Sequence, residues 1–215
     1  MKNESECCEP AAMPMPTIHT LLLEKALSLG ATAAILLPVE TLVVEERFAA
    51  LCAAPHRCPS YGLAPGCPPH AMPPSSFREH LRRFQQMLAF KIDAPIALLL
   101  GVERPALTRT IHSIAAGVEQ EAVRLGLVGT MGLAAGSCKE LFCPQEEICV
   151  VLERSLPCPH AQLARPSISA LGINFSALAE AAGWPFAKIT AHSPAADQQA
   201  MGLMAGLVLL PASAN

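Results

Sequence analysis

The chain has 215 residues, of which 52% are hydrophobic and 15% charged, with a net charge of −3 and a pI near 6.2. That profile excludes a disordered chain. With one Trp, one Tyr, seven Phe and no basic excess it also argues against nucleic acid as a partner, because stacking rings are scarce and a positive surface is missing.

Residues 1–16 read as a flexible tail carrying Cys7 and Cys8, and residues 17–215 as one α/β domain. Met1 to Ala12 has no apolar run, so no signal peptide is expected. Met201 to Leu210 is too short to span a bilayer and is followed by Pro211. The expectation is a soluble, cytoplasmic protein with no membrane association. Thr17 to Leu29 predicts an amphipathic helix, with Leu21, Leu22, Ala26 and Leu29 on one face and Gly30 ending it. Ala33 to Leu37 predicts a short buried strand, and residues 45–51 a helical turn. Cys52 to Pro74 holds seven prolines and three cysteines and reads as a loop. Ser75 and Ser76 are placed to cap a helix running to Phe90. Ala94 to Val102, a continuous apolar run, predicts a buried strand.

The order then starts again. Pro105 opens a long helix to Leu125, which Gly126 ends, and Leu127 to Leu133 reads as a strand. A second cysteine-bearing loop runs from Gly136 to about Pro166. Ser167 to Ala182 predicts a helix broken near Gly172, and Trp184 to Ala191 and Leu203 to Leu210 predict strands. The cysteine spacing repeats as well: Cys52, five residues, Cys58, eight residues, Cys67 matches Cys143, five residues, Cys149, eight residues, Cys158. The fold expected is α/β and compact. Its two halves, 17–102 and 105–191, read as duplicated helix–strand–cysteine loop–helix–strand units whose loops meet at the seam.

Nine cysteines, an odd number, argue against a disulfide framework. Seven fall into two local sets: Cys52, Cys58 and Cys67, then Cys138, Cys143, Cys149 and Cys158. Proline follows Cys58, Cys67, Cys143 and Cys158, and its fixed φ stiffens the backbone beside each thiol. Short stiff loops bring thiolates to a common centre, so these seven are the candidate metal ligands. The second set has enough thiolates to close a cubane or a zinc tetrahedron. The first leaves one position open, to be filled by His56, His70 or Cys138, or by substrate. Apart from Cys138-x4-Cys143, the wide gaps fit zinc ribbons poorly, so iron–sulfur, as one or two [4Fe-4S] clusters, is favoured over zinc.

Arg165 and Tyr61 are candidate cofactor-binding residues, each able to donate to cluster sulfur. The competing readings are a salt bridge for Arg165, packing against prolines for Tyr61 and a helix cap for Ser167. His160 sits beside Cys158 and is a further candidate. No phosphate-binding glycine loop, nucleophile elbow or zinc-protease motif occurs.

The segments Arg57-Cys58-Pro59-Ser60-Tyr61-Gly62, Cys67-Pro68-Pro69, Gly136-Ser137-Cys138-Lys139-Glu140-Leu141-Phe142-Cys143, Cys158-Pro159, Ala164-Arg165-Pro166-Ser167 and Gly172-Ile173-Asn174 carry a resemblance. Together they resemble a cysteine-rich family of predicted metal-binding proteins, a domain of unknown function common in anaerobic bacteria and archaea. The resemblance covers about residues 17–210. It implies a metal, iron–sulfur above others, and a redox setting. The function expected is therefore electron transfer, or reduction or desulfuration of a small substrate, in anaerobic metabolism. A ferredoxin or reductase would be the redox partner. The alternatives are a zinc-binding structural or sensing module and a metal or cluster chaperone.

Overall fold

A computed structural model describes residues 16–53, 55–186 and 200–212. Helix α1 (Ile18–Ser28) opens at Thr17, whose hydroxyl accepts from the Thr20 amide at 3.2 Å. It stops before Gly30, which takes a φ of +105° that a side chain would resist. Strand β1 (Ala33–Pro38) and the one-turn helix α2 (Glu46–Ala50) lead into the first cysteine loop. After it come α3 (Pro74–Leu81), β2 (Phe84–Pro95), α4 (Ile96–Leu100) and the long α5 (Arg104–Arg124). The short β3 (Met131–Leu133) enters the second cysteine loop, which contains α6 (Cys138–Phe142) and α7 (Val150–Arg154). Helix α8 (Phe175–Ala181) and strand β4 (Met201–Pro211) follow.

The four strands form one antiparallel sheet in the order β1-β2-β4-β3, with Leu36 opposite Leu88 and Leu88 opposite Val208. Because side chains alternate along a strand, the central pair feeds two cores. On one face Leu88, Phe90, Ile92, Val208 and Leu210 pack against Leu22 and Ala26 of α1 and against Ile111, Ile114, Ala115 and Val118 of α5. On the other, Met87, Ala89, Leu207 and Leu209 meet Phe77 of α3, Leu178 of α8 and Ile168 and Leu171 of the second loop. Burial on both faces is why β4 reads as an unbroken apolar run. Gly206 lets β4 pass Phe90, since a Cβ there would stand 2.5 Å from the Phe90 ring.

The α/β expectation holds, with helices layered on both faces of the sheet. Several boundaries differ. The helix expected to reach Phe90 ends at Leu81 with Pro73 at its N-cap, so Ser75 and Ser76 lie inside its first turn. Phe84–Pro95 is the strand, and of the expected strand 94–102 only Ala94 and Pro95 belong to it, because Ile96–Leu100 is helical. The helix expected from Ser167 begins only at Phe175, where the Asn174 side chain accepts from the Ala177 amide at 3.1 Å. Trp184 to Phe186 is not a strand, and residues 187–191 lie outside the described residues, as do Cys7 and Cys8. The order helix–strand–cysteine loop–helix–strand does occur twice, but the second closing strand is β4, beyond the boundary expected at residue 191. Shared order does not by itself make one half a copy of the other.

Candidate metal centre

The first cysteine loop is folded by its own backbone. The amide of Cys58 donates to Cys52 O at 2.9 Å, Gly62 to Pro68 O at 2.8 Å and Ala71 to Cys67 O at 2.9 Å. The second loop is pinned to the sheet edge. Ala134 N donates to Pro166 O and Ile168 N to Ala134 O, both at 2.9 Å. The loops touch at Gly66, where a Cβ would stand 3.0 Å from Pro166 Cα. They touch again where the Cys67 thiol donates to Ser137 Oγ at 3.3 Å, and where the Ser60 hydroxyl donates to Glu140. The expected meeting of the two loops is therefore present in the folded chain.

The seven thiols are free and divide between two cavities. Cys138, Cys143, Cys149 and Cys158 line one of about 360 Å³, together with Lys139, Phe142, His160 and Arg165. Cys52, Cys58 and Cys67 line another of about 410 Å³, with Ser60, Tyr61, Ser137, Glu140 and Ser167. The division follows the two sequence sets. Among the described residues no three His, Cys, Asp or Glu side chains close around a point as ligands of one ion would. The thiols stand on cavity walls instead.

Burial is the main influence on Cys52, Cys67, Cys138 and Cys143. It pushes Cys138 up to about 12, helped by the neighbouring Cys67, Cys158, Cys149 and Cys143. It raises Cys52 too, with Cys58 and Cys67 adding to the effect. Cys67 rises through burial, against the Ser137 hydroxyl, with Cys58 and Glu140 as smaller like-charge contributions. Cys143 rises through burial and the charges of Cys158 and Cys149, while the Lys139 ammonium opposes. The raised thiols of Cys52, Cys67, Cys138 and Cys143 favour the protonated form when no metal is bound, and a cation that binds them takes the place of those protons. The donor set fits a thiophilic metal or an iron–sulfur cluster.

The other expected residues fall out unevenly. Arg165 lines the four-cysteine cavity, but its Nε pairs with Glu119 at 2.9 Å and its Nη1 donates to Ala161 O and Ala164 O at 2.9 and 2.8 Å. The salt bridge and the place at the cavity are thus both real. Tyr61 lines the three-cysteine cavity with the Arg57 guanidinium 4.7 Å from its ring centroid. His160 stacks on Phe142 at the wall of the four-cysteine cavity. His56 and His70, the histidines expected to be able to fill the first set's open position, are exposed and line neither cavity. Ser167 is no helix cap; it forms a parallel bridge with Ala134.

Three residues escaped the sequence reading. Lys139 is buried at 6% exposure, and its Nζ donates to Cys143 O at 2.7 Å and to Glu146 O. Glu140 faces the three-cysteine cavity. His112 lies wholly buried in α5, its Nδ1 accepting from the Arg165 amide at 3.1 Å, while among the described residues Nε2 has no hydrogen-bond partner. Lys139 and Glu140 directly follow Cys138, and His112 falls beside Ile111 on the buried face of α5. Those positions were the available signals.

An antiparallel sheet presenting two proline-stiffened thiol loops defines a cysteine-rich metal-binding protein. The chain belongs to the family described as "Predicted metal-binding protein" (DUF2284), which it matches over residues 35–210, a span containing all seven cavity cysteines. No curated protein and no solved structure matches it.

Proposed function

We propose that this is an iron–sulfur protein that passes electrons from a redox partner, such as a ferredoxin or reductase, to a small substrate that it reduces or desulfurises. The observation that carries the reading is the sorting of seven thiols, four and three, into adjoining cavities. Thiols spread over cavity walls suit a cluster, where each iron takes its own thiolate, better than they suit one ion that draws all its ligands to a point.

Cys138, Cys143, Cys149 and Cys158 would hold a closed centre, and Cys52, Cys58 and Cys67 a centre with one position left for another donor. When bound, such centres supply one-electron transfer. The chain's own residues do the rest. Lys139 draws the backbone of the second loop inward and places positive charge beside Cys143. Phe142, Leu156 and Val151 give the four-cysteine cavity an apolar wall. Tyr61 and Ser167 give the three-cysteine cavity polar groups able to orient a substrate. Among the described residues no helix is long and apolar enough to cross a membrane. Reduced thiols in such number support a cytoplasmic setting.

The test is iron, zinc and acid-labile sulfide per chain on protein purified without oxygen, repeated for Cys149→Ser and Cys58→Ser. Sulfide matching iron in the wild type, with each variant losing one of two distinguishable spectra, is the expected result. Zinc without sulfide would refute the reading and leave a structural or sensing module. Transfer of the bound centre to an apo-acceptor, in place of redox turnover, would make the protein a chaperone.

A further inference from the structure

The geometry points to Glu140 as the oxygen donor that completes the three-cysteine site, an assignment that rests on the iron–sulfur reading above. Helix α6 straddles the seam between the cavities. Cys138 and Lys139 line the four-cysteine side and Glu140 the other. Two positions along a helix turn the side chain by roughly 200°, so Cys138 and Glu140 are sent to opposite sides. Within this one turn the chain assigns a thiol to one cavity and a carboxylate to the next.

The carboxylate is held in place at one oxygen only. Ser60, 1% exposed and two residues after Cys58, donates its hydroxyl to Glu140 Oε1. Among the described residues Oε2 makes no hydrogen bond, and Glu140 makes no ion pair. Neighbouring cations are otherwise placed: the Arg57 guanidinium lies over the Tyr61 ring. The Lys139 ammonium is committed to the carbonyls of Cys143 and Glu146. Arg104 lines the same cavity without pairing with the carboxylate. Three thiols and a carboxylate around one cavity, with no side-chain cation paired to them, form a donor set that a bound cation would satisfy.

The chemistry of the donor sets its use. A carboxylate is harder than a thiolate and holds iron less tightly. Glu140 is also exposed to solvent. A position closed by Glu140 is therefore one that a small oxygen or sulfur ligand can take over, whereas a fourth cysteine would lock it. Ser60 would keep the displaced carboxylate close by, ready to return.

Wild type, Glu140→Gln and Glu140→Cys, each purified without oxygen, are compared by iron and sulfide content and by EPR before and after mild oxidation with ferricyanide. Glu140→Gln keeps the acceptor for Ser60, so the fold is preserved. It is expected to lose about one iron per chain on oxidation with sulfide unchanged, and to gain the signal of a three-iron cluster. Glu140→Cys is expected to keep its iron under the same treatment. If Glu140→Gln retains iron and matches the wild-type spectrum, Glu140 is not a ligand. Wild-type protein without sulfide would instead refute the iron–sulfur reading itself, so the two failures are distinguishable.

Discussion

Replacing Lys139 with Met tests whether the second loop depends on a buried ammonium. The side chain is 6% exposed and reaches two backbone carbonyls, Cys143 O at 2.7 Å and Glu146 O. Methionine keeps most of the stem's packing and deletes the donor. Hydrogen bonds to a charged group are worth about 1.5–3 kcal/mol each, and buried carbonyls left without a donor bear the cost in full. Against that, the variant no longer desolvates an ammonium, which offsets part of the loss. The net is about 2–3 kcal/mol. At roughly 2–4 °C per kcal/mol for a chain of this size, the midpoint of the metal-free, reduced protein should fall by roughly 4–12 °C. Far-UV circular dichroism during heating reads this directly. The same variant should release its metal faster to a chelator, because Cys143 and Cys149 flank the loosened turn. A variant melting within about a degree of wild type would refute the role assigned to Lys139.

Two further outcomes follow from buried polar groups. His112 is held down to about 4 from its ordinary 6.5, chiefly by burial, with the Leu163 and Ala135 carbonyls opposing and the Arg165 charge assisting. The unfolded chain therefore binds a proton that the folded chain refuses. His112 leaves stability unchanged above about pH 6.5 and lowers it as the pH drops from 6.5 towards 4, by about 3 kcal/mol in all. Urea titrations across that window should show the decline in wild type and a flatter profile in His112→Phe; parallel profiles would refute it. Arg165→Met breaks a pair whose side chains are 8% and 23% exposed. The Gly132 amide still donates to Glu119. The cost is accordingly set below that of a fully buried pair, at about 2 kcal/mol. A double-mutant cycle with Glu119→Gln should show coupling of roughly 1 kcal/mol or more, and additive effects would refute a working pair.

The sequence made some of this legible and hid the rest for physical reasons. Helices α1 and α5 were readable because each has one apolar stripe and a glycine at its end, Gly30 and Gly126, both at positive φ. The β4 run was readable because both its faces are buried. Strand β2 was not. Phe84-Gln85-Gln86-Met87-Leu88-Ala89 is built from good helix formers, and only pairing with β1 and β4 on either side makes it extended. Local propensity cannot see those partners. In the site, the cysteine sets were legible because ligand loops are local in sequence. His56 and His70 were reasonable fourth ligands by proximity along the chain, but the loop turns them to solvent. Glu140 belongs to the other loop, eighty positions from Ser60, and only folding brings the two together.

The place of β4 in the sheet has a consequence for how the protein is made. It lies between β2 and β3 and pairs with both, yet it is translated after every cavity cysteine. While the chain is emerging, both thiol loops exist before the strand that completes the sheet behind them, so that sheet lacks its β2–β4 and β3–β4 pairings at that stage. Pairings this distant in sequence close slowly. The interval leaves seven reduced thiols within reach of stray metal and oxidant. Completion of the sheet beneath the two thiol loops therefore waits on β4, and a cell making this protein would gain from shielding the thiols until that strand is in place.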